Sequence, residues 1–121
     1  MKMCWVTLNV TDLEESLKFY RDIVGLELFS RFPAGNESEI AMLGEADKPK
    51  IELICNKNFT ASNKGEGVSI GFEGEALDKV AETLRSYNIN ILKGPISPSA
   101  HIRFFFVKDP DGYEIQFIEH K

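Results

Sequence analysis

Apolar and polar residues alternate with a period of two over residues 3–10 (MCWVTLNV). Cys4, Val6, Leu8 and Val10 share one face, and Met3, Trp5, Thr7 and Asn9 the other. That pattern predicts a half-buried strand. The second face is mixed and carries Trp5, which suits a pocket wall better than bare solvent. The period then changes to that of a helix. Asp12 can cap the first turn, with Glu15 three residues on. Leu13, Leu17, Tyr20 and Val24 recur at helical spacing, Phe19 and Ile23 widen the stripe, and Gly25 is the expected stop. Three strands follow, at Leu26–Phe32, Glu39–Leu43 and Lys50–Asn56, with a turn at Pro33–Asn36 and a polar loop at Gly44–Pro49. In the last strand Ile51, Leu53 and Cys55 oppose Glu52 and Ile54.

Residues 57–66 (KNFTASNKGE) are polar and small, and read as a connector. The plan then repeats. Gly67–Glu73 alternates, with Val68, Ile70 and Phe72 inward and Ser69, Gly71 and Glu73 on the other face. Glu75–Tyr87 reads as a helix with Leu77, Val80, Ala81, Leu84 and Tyr87 on one stripe. A short strand at Ile89–Leu92 and a loop at Gly94–Pro98 come next. Ile102–Val107, the turn Asp109-Pro110-Asp111-Gly112 and a strand Tyr113–His120 complete the half. The order is β-α-β-β-β twice, an internal repeat of about 55–60 residues. The expected fold is α+β: one domain over residues 1–121, built of a module 1–56, a linker 57–66 and a module 67–121. Two such modules, paired within a chain or swapped between chains, are expected to close a curved sheet into a cup with helices outside.

The chain has 121 residues, with 14 Lys plus Arg against 19 Asp plus Glu, a formal net charge of −5. An acidic chain argues against nucleic acid and anionic membranes as partners, since both reward a basic face. It agrees with a cationic or aromatic guest. Apolar runs such as Phe104–Val107 reach only four residues, and the first residues lack a signal-peptide layout. The cytoplasm is the expected location. Cys4 and Cys55, the two cysteines, read as free buried thiols, with a Cys4–Cys55 bridge as the alternative.

Two stretches carry a resemblance. Val10-Thr11-Asp12-Leu13-Glu14-Glu15-Ser16-Leu17-Lys18-Phe19-Tyr20, followed by Val24-Gly25-Leu26, and Phe106-Val107-Lys108-Asp109-Pro110-Asp111-Gly112-Tyr113-Glu114-Ile115 are similar to signatures of the vicinal oxygen chelate superfamily. That superfamily includes glyoxalase I, bleomycin-resistance and fosfomycin-resistance proteins and extradiol dioxygenases. Both signatures are structural, a helix face and a hairpin turn. The resemblance implies four functional positions, commonly His and Glu around a divalent metal. Here they fall on Trp5, Glu52, Ser69 (or Val68, if the register is shifted by one) and Gln116. Indole has no usable lone pair, a neutral hydroxyl is a poor first-row ligand, and an amide carbonyl is a weak one. One carboxylate without an imidazole falls short of the three good protein ligands of a catalytic metal. The two histidines, His101 and His120, read as surface residues.

An aromatic plate, a carboxylate and two hydrogen-bonding groups make the composition of an organic ligand pocket. Trp5, Thr7, Glu52, Ile54, Ser69, Phe106, Gln116 and Ile118 are the candidate ligand contacts, with Met42 and Phe104 as further lining. The parity of Phe104-Phe105-Phe106 is open, since all three are apolar. Trp5 is a stacking platform or plain core. Glu52 is a general base if the protein is an enzyme, a counter-charge to a cation, or an exposed strand carboxylate. The sequence therefore points to metal-independent binding of a small organic molecule, resembling the drug-sequestering branch, with no cofactor and a homodimer expected. The alternative is a glyoxalase I-like lyase or isomerase using a divalent metal on a small 2-oxo compound. A metal-free isomerase with Glu52 as base is a third possibility.

Overall fold

The computed structural model describes residues 1–59, 65–74 and 76–121. The centre of the connector, residues 60–64, and the expected helix start at Glu75 lie outside the described residues. The chain divides into two compact units, residues 1–62 and 63–121.

In the first unit β1 (Trp5–Val10) leads into α1 (Leu13–Lys18), which runs on into one π-helical turn at Phe19–Ile23. β2 (Leu28–Ala34), β3 (Ser38–Leu43) and β4 (Lys50–Asn56) follow. The sheet order is β1-β4-β3-β2, with β1 and β4 parallel and the other pairs antiparallel. Asp12 caps α1 as its composition predicts, accepting from the Glu15 amide at 3.2 Å. Leu13, Leu17, Phe19 and Tyr20 are buried with Leu8, Val10, Ala41, Leu43, Ile51 and Leu53. One face of the sheet is thus covered by the helix and forms the core. Arg31 fastens α1 to the sheet, 2.6 Å from Glu14 Oε1 and 2.7 Å from Glu39 Oε2.

The second unit repeats the order with β5 (Ser69–Glu73), α2 (Leu77–Ser86), β6 (Lys93–Ser99), β7 (Ile102–Lys108) and β8 (Glu114–His120). Its sheet runs β5-β8-β7-β6, again with the first pair parallel. Its core holds Leu77, Leu84, Phe105, Val107, Ile115 and Phe117. Ala76 offers no side chain to cap α2; Glu119 does so from β8, accepting from the Leu77 amide at 2.7 Å. Asp109, 5% exposed, holds the β7–β8 turn: its Oδ1 accepts from the amides of Asp111 and Tyr113, both at 2.9 Å.

Several expectations are corrected. Ile89–Leu92 is not a strand; the chain pairs instead at Lys93–Ser99, where Gly94, Pro95 and Pro98 suggest a loop. Proline is tolerated there because β6 is an edge strand with an irregular ladder and all seven residues exposed. Pro33 likewise sits inside edge strand β2, and the turn follows at Gly35–Glu37. Val68 lies before β5 and is exposed rather than inward. Cys4 is exposed and Cys55 half-buried, both free, so the expected burial of the pair fails. Among the described residues, no helix is long and apolar enough to cross a membrane.

Candidate ligand site

Each sheet has one face without a helix, and the candidate residues fall on these open faces because successive strand side chains alternate. In the first unit the register aligns Trp5 with Lys50, then Thr7 with Glu52 and Met42, then Asn9 with Ile54 and Ile40. Trp5 is 54% exposed, so it is not core. Thr7 Oγ1 donates to Glu52 Oε1 at 2.6 Å, which fixes the half-buried carboxylate against β1. A cavity of about 560 Å³ opens at the Trp5 end of this face. Its walls include Met3, Trp5, Phe29, Met42 and Lys50. That volume lies within the range of small-molecule sites, roughly 300–1,000 Å³.

In the second unit the rows are Ser69 with Glu114, Gly71 with Gln116 and Phe106, and Glu73 with Ile118 and Phe104. The register settles two open questions. Phe105 is 1% exposed and packs on Phe117, so Phe104 and Phe106 belong to the open face, where their rings meet edge to face at 5.7 Å. Ser69, in the ladder opposite Glu114, is the strand residue of its row, and Val68 is not. Gly71 leaves room for its neighbour: a Cβ there would lie 3.3 Å from Gln116 Oε1 and 3.0 Å from Ile118 Cδ1. The Gln116 amide thus lies over β5. Lys93 Nζ stands 4.4 Å from the Phe106 ring centre and 3.9 Å from Glu114 Oε1.

The open face of the first unit gathers Trp5, Thr7, Glu52 and Ile54, and that of the second gathers Ser69, Phe106, Gln116 and Ile118. Sequence reasoning missed Lys50, Phe29, Lys93 and Glu114. Lys50 and Glu114 carried a signal, the same strand parity as Glu52 and Gln116. Phe29 carried none, because its exposure comes from the irregularity in the β2–β3 ladder between Leu28 and Ser30.

The donor set does not fit a first-row metal ion. The four positions offer an indole, a carboxylate already hydrogen-bonded to Thr7, a hydroxyl and an amide. Among the described residues, no three His, Cys, Asp or Glu side chains come together to hold a metal. His101 is exposed, and His120 Nδ1 lies 2.5 Å from Glu73 Oε2 at the surface.

Two four-stranded mixed sheets of matching order, each with one helix, define a glyoxalase-type α+β fold. The profile of the Glyoxalase/Bleomycin resistance protein/Dioxygenase superfamily matches residues 2–117, and the chain belongs to that family. It is 31% identical over 129 residues to a lactoylglutathione lyase of Haemophilus influenzae, covering 100% of this chain and 94% of the relative. Its fold is similar to that of the glyoxalase I of Leishmania major, with a TM-score of 0.82 and 24% identity, covering 98% of this chain and 86% of that one. It is also similar to an antibiotic-binding protein from Streptomyces sp. CB03234, with a TM-score of 0.74 and 18% identity, covering 100% and 97%.

Proposed function

We propose that the chain binds a small organic molecule on the open face of the first unit, without a metal, using Trp5 as a stacking platform. The observation that supports this is Trp5 itself: a large aromatic, half in solvent, walling a cavity at a position where the family resemblance implies a metal ligand. The Thr7–Glu52 pair lies in the next row of the same face. Gln116 and Ser69 offer hydrogen bonds on the second unit's open face. A protein of similar fold from Streptomyces sp. CB03234 is an antibiotic-binding protein, which agrees with this reading.

A second reading, a glyoxalase-like lyase or isomerase acting on a small 2-oxo compound, is favoured by the full-length similarity to proteins named lactoylglutathione lyase. The comparisons support it better than they support sequestration. The chemistry of Trp5, Ser69 and Gln116 weighs against its metal-dependent form. Glu52 is the residue that would act as base in a metal-free form.

Elemental analysis of the purified protein, with Ni²⁺ and Zn²⁺ titration followed by Trp5 fluorescence, separates the two. Trp5 is the single tryptophan. The expected result is substoichiometric metal, no fluorescence response to either ion, and no formation of lactoylglutathione from a 2-oxoaldehyde and glutathione. Stoichiometric metal with thioester formation would replace the first reading by the second.

A further inference from the structure

The whole chain is acidic, yet the cavity beside Trp5 is not. Among the described residues, Lys2, Lys48 and Lys50 line it against one carboxylate, that of Asp47. Lys50 is held in place. Its Nζ donates to the carbonyls of Ala46 and Lys48, both at 2.9 Å, and stands 4.7 Å from the Phe29 ring centre. An ammonium has three protons, so one lacks a carbonyl acceptor among the described residues. The surrounding loop is closed tightly. Lys50 N donates to Cys4 O at 3.0 Å, tying the N-terminal segment to β4, and a Cβ on Gly44 (φ +131°) would lie 3.3 Å from Pro49 O. The other walls are apolar and broad: Trp5, Phe29 (53% exposed), Met3 and Met42.

We propose that this cavity binds an aromatic carboxylate, with the ring against Trp5 and the thioethers and the carboxylate on Lys50 Nζ. This rests on the reading of the first unit's open face as a ligand site and specifies the ligand's charge. It reverses the sign suggested by the chain's net charge. Lys50 already occupies the face of Phe29, so a cationic guest would meet its fixed ammonium beside Lys2 and Lys48 and find that ring taken. The Glu52 carboxylate lies one row further along the sheet, bound to Thr7, and is not among the cavity's walls.

The test uses three probes with one ring system: 2-naphthoate, 2-naphthylmethanol and 2-naphthylmethylammonium. Binding is measured by calorimetry, and the Trp5 indole N–H is followed by NMR. The expected order is naphthoate first, with a shifted Trp5 signal and an affinity that falls as salt is raised from 0.02 to 0.5 M. Lys50→Met should weaken naphthoate about tenfold, the worth of one hydrogen bond to a charged group. Because Lys50 also holds the loop carbonyls, a second variant, Lys2→Met with Lys48→Met, removes charge without removing a described side-chain bond. It should weaken naphthoate about threefold at low salt, and Lys50→Arg should retain binding. Tighter binding of the ammonium or the alcohol at Trp5 would overturn the anion assignment while leaving the ligand site standing. No Trp5 shift with any of the three would overturn the assignment and the role of this face together.

Discussion

Replacing Asp109 tests how the second unit's open face is set. The Oδ1 atom of this nearly buried carboxylate accepts two backbone amides, Asp111 N and Tyr113 N, each at 2.9 Å. The same turn is closed by Asp109 N to Tyr113 O at 2.9 Å and Gly112 N to Asp109 O at 3.0 Å, which any side chain would keep. Asp109→Ala therefore removes two charge-assisted bonds and leaves two amides to find water. Such bonds are worth about 1.5–3 kcal/mol each. Asp111 and Tyr113 are half-buried, so water can reach part of the gap and the low end applies. The expected loss is about 3 kcal/mol for Ala. Asn, which keeps an acceptor but not the charge, should lose about 1 kcal/mol. With a urea m-value near 2 kcal/mol/M, the Ala variant's midpoint should fall by about 1.5 M. Urea titration followed by far-UV circular dichroism reads this. The turn also fixes the β7–β8 register that sets Phe106 opposite Gln116, and a slip of one residue would exchange the faces of β7. An Ala variant within about 0.5 kcal/mol of the parent, or an Asn variant as damaged as Ala, would refute the assignment of these two bonds.

Leu53→Ala, at a fully buried position in β4, should cost about 3 kcal/mol and lower the thermal midpoint by roughly 10 °C in calorimetry. Trp5→Ala, at a half-exposed site, should change unfolding free energy by less than about 1 kcal/mol while abolishing naphthoate binding; equal loss of both would place Trp5 in the core. Glu119→Ala should cost about 1–2 kcal/mol through the uncapped Leu77 amide, with Glu119→Gln costing less, by chemical denaturation. The Arg31 guanidinium, through its hydrogen bond, holds the Glu39 carboxyl below the usual glutamate range, and its own affinity for a proton is raised in return. A depressed folded pKa gives stability that is present at neutral pH and lost as pH falls through that depressed value. Arg31→Met should return the Glu39 titration to the ordinary range, followed by carbon-detected NMR.

The sequence by itself determined the repeated βαβββ order, the cap at Asp12, the turn after Asp109 and the parity of β1, β4 and β8. Those features rest on local causes. Side-chain alternation has a fixed period, and capping and turn residues act within four positions. It left β6 unread because Gly and Pro signal a loop locally, while an edge strand needs ladder bonds on one side only. It could not assign Phe104, Phe105 and Phe106, since three equal side chains carry no period; pairing to β8 chose Phe105 for the core. For the site, the sequence supplied Trp5 and Glu52 by parity, and Lys50 shares that parity, but only the tertiary structure gathers the cavity's other charged groups around it. Lys2, Phe29 and the Lys48–Lys50 stretch lie far apart in the chain, and the folded loop and the irregular β2–β3 ladder bring them to Trp5. Net charge sums over the whole chain, whereas a ligand meets only the groups within a few ångströms, where Coulomb attraction outruns screening.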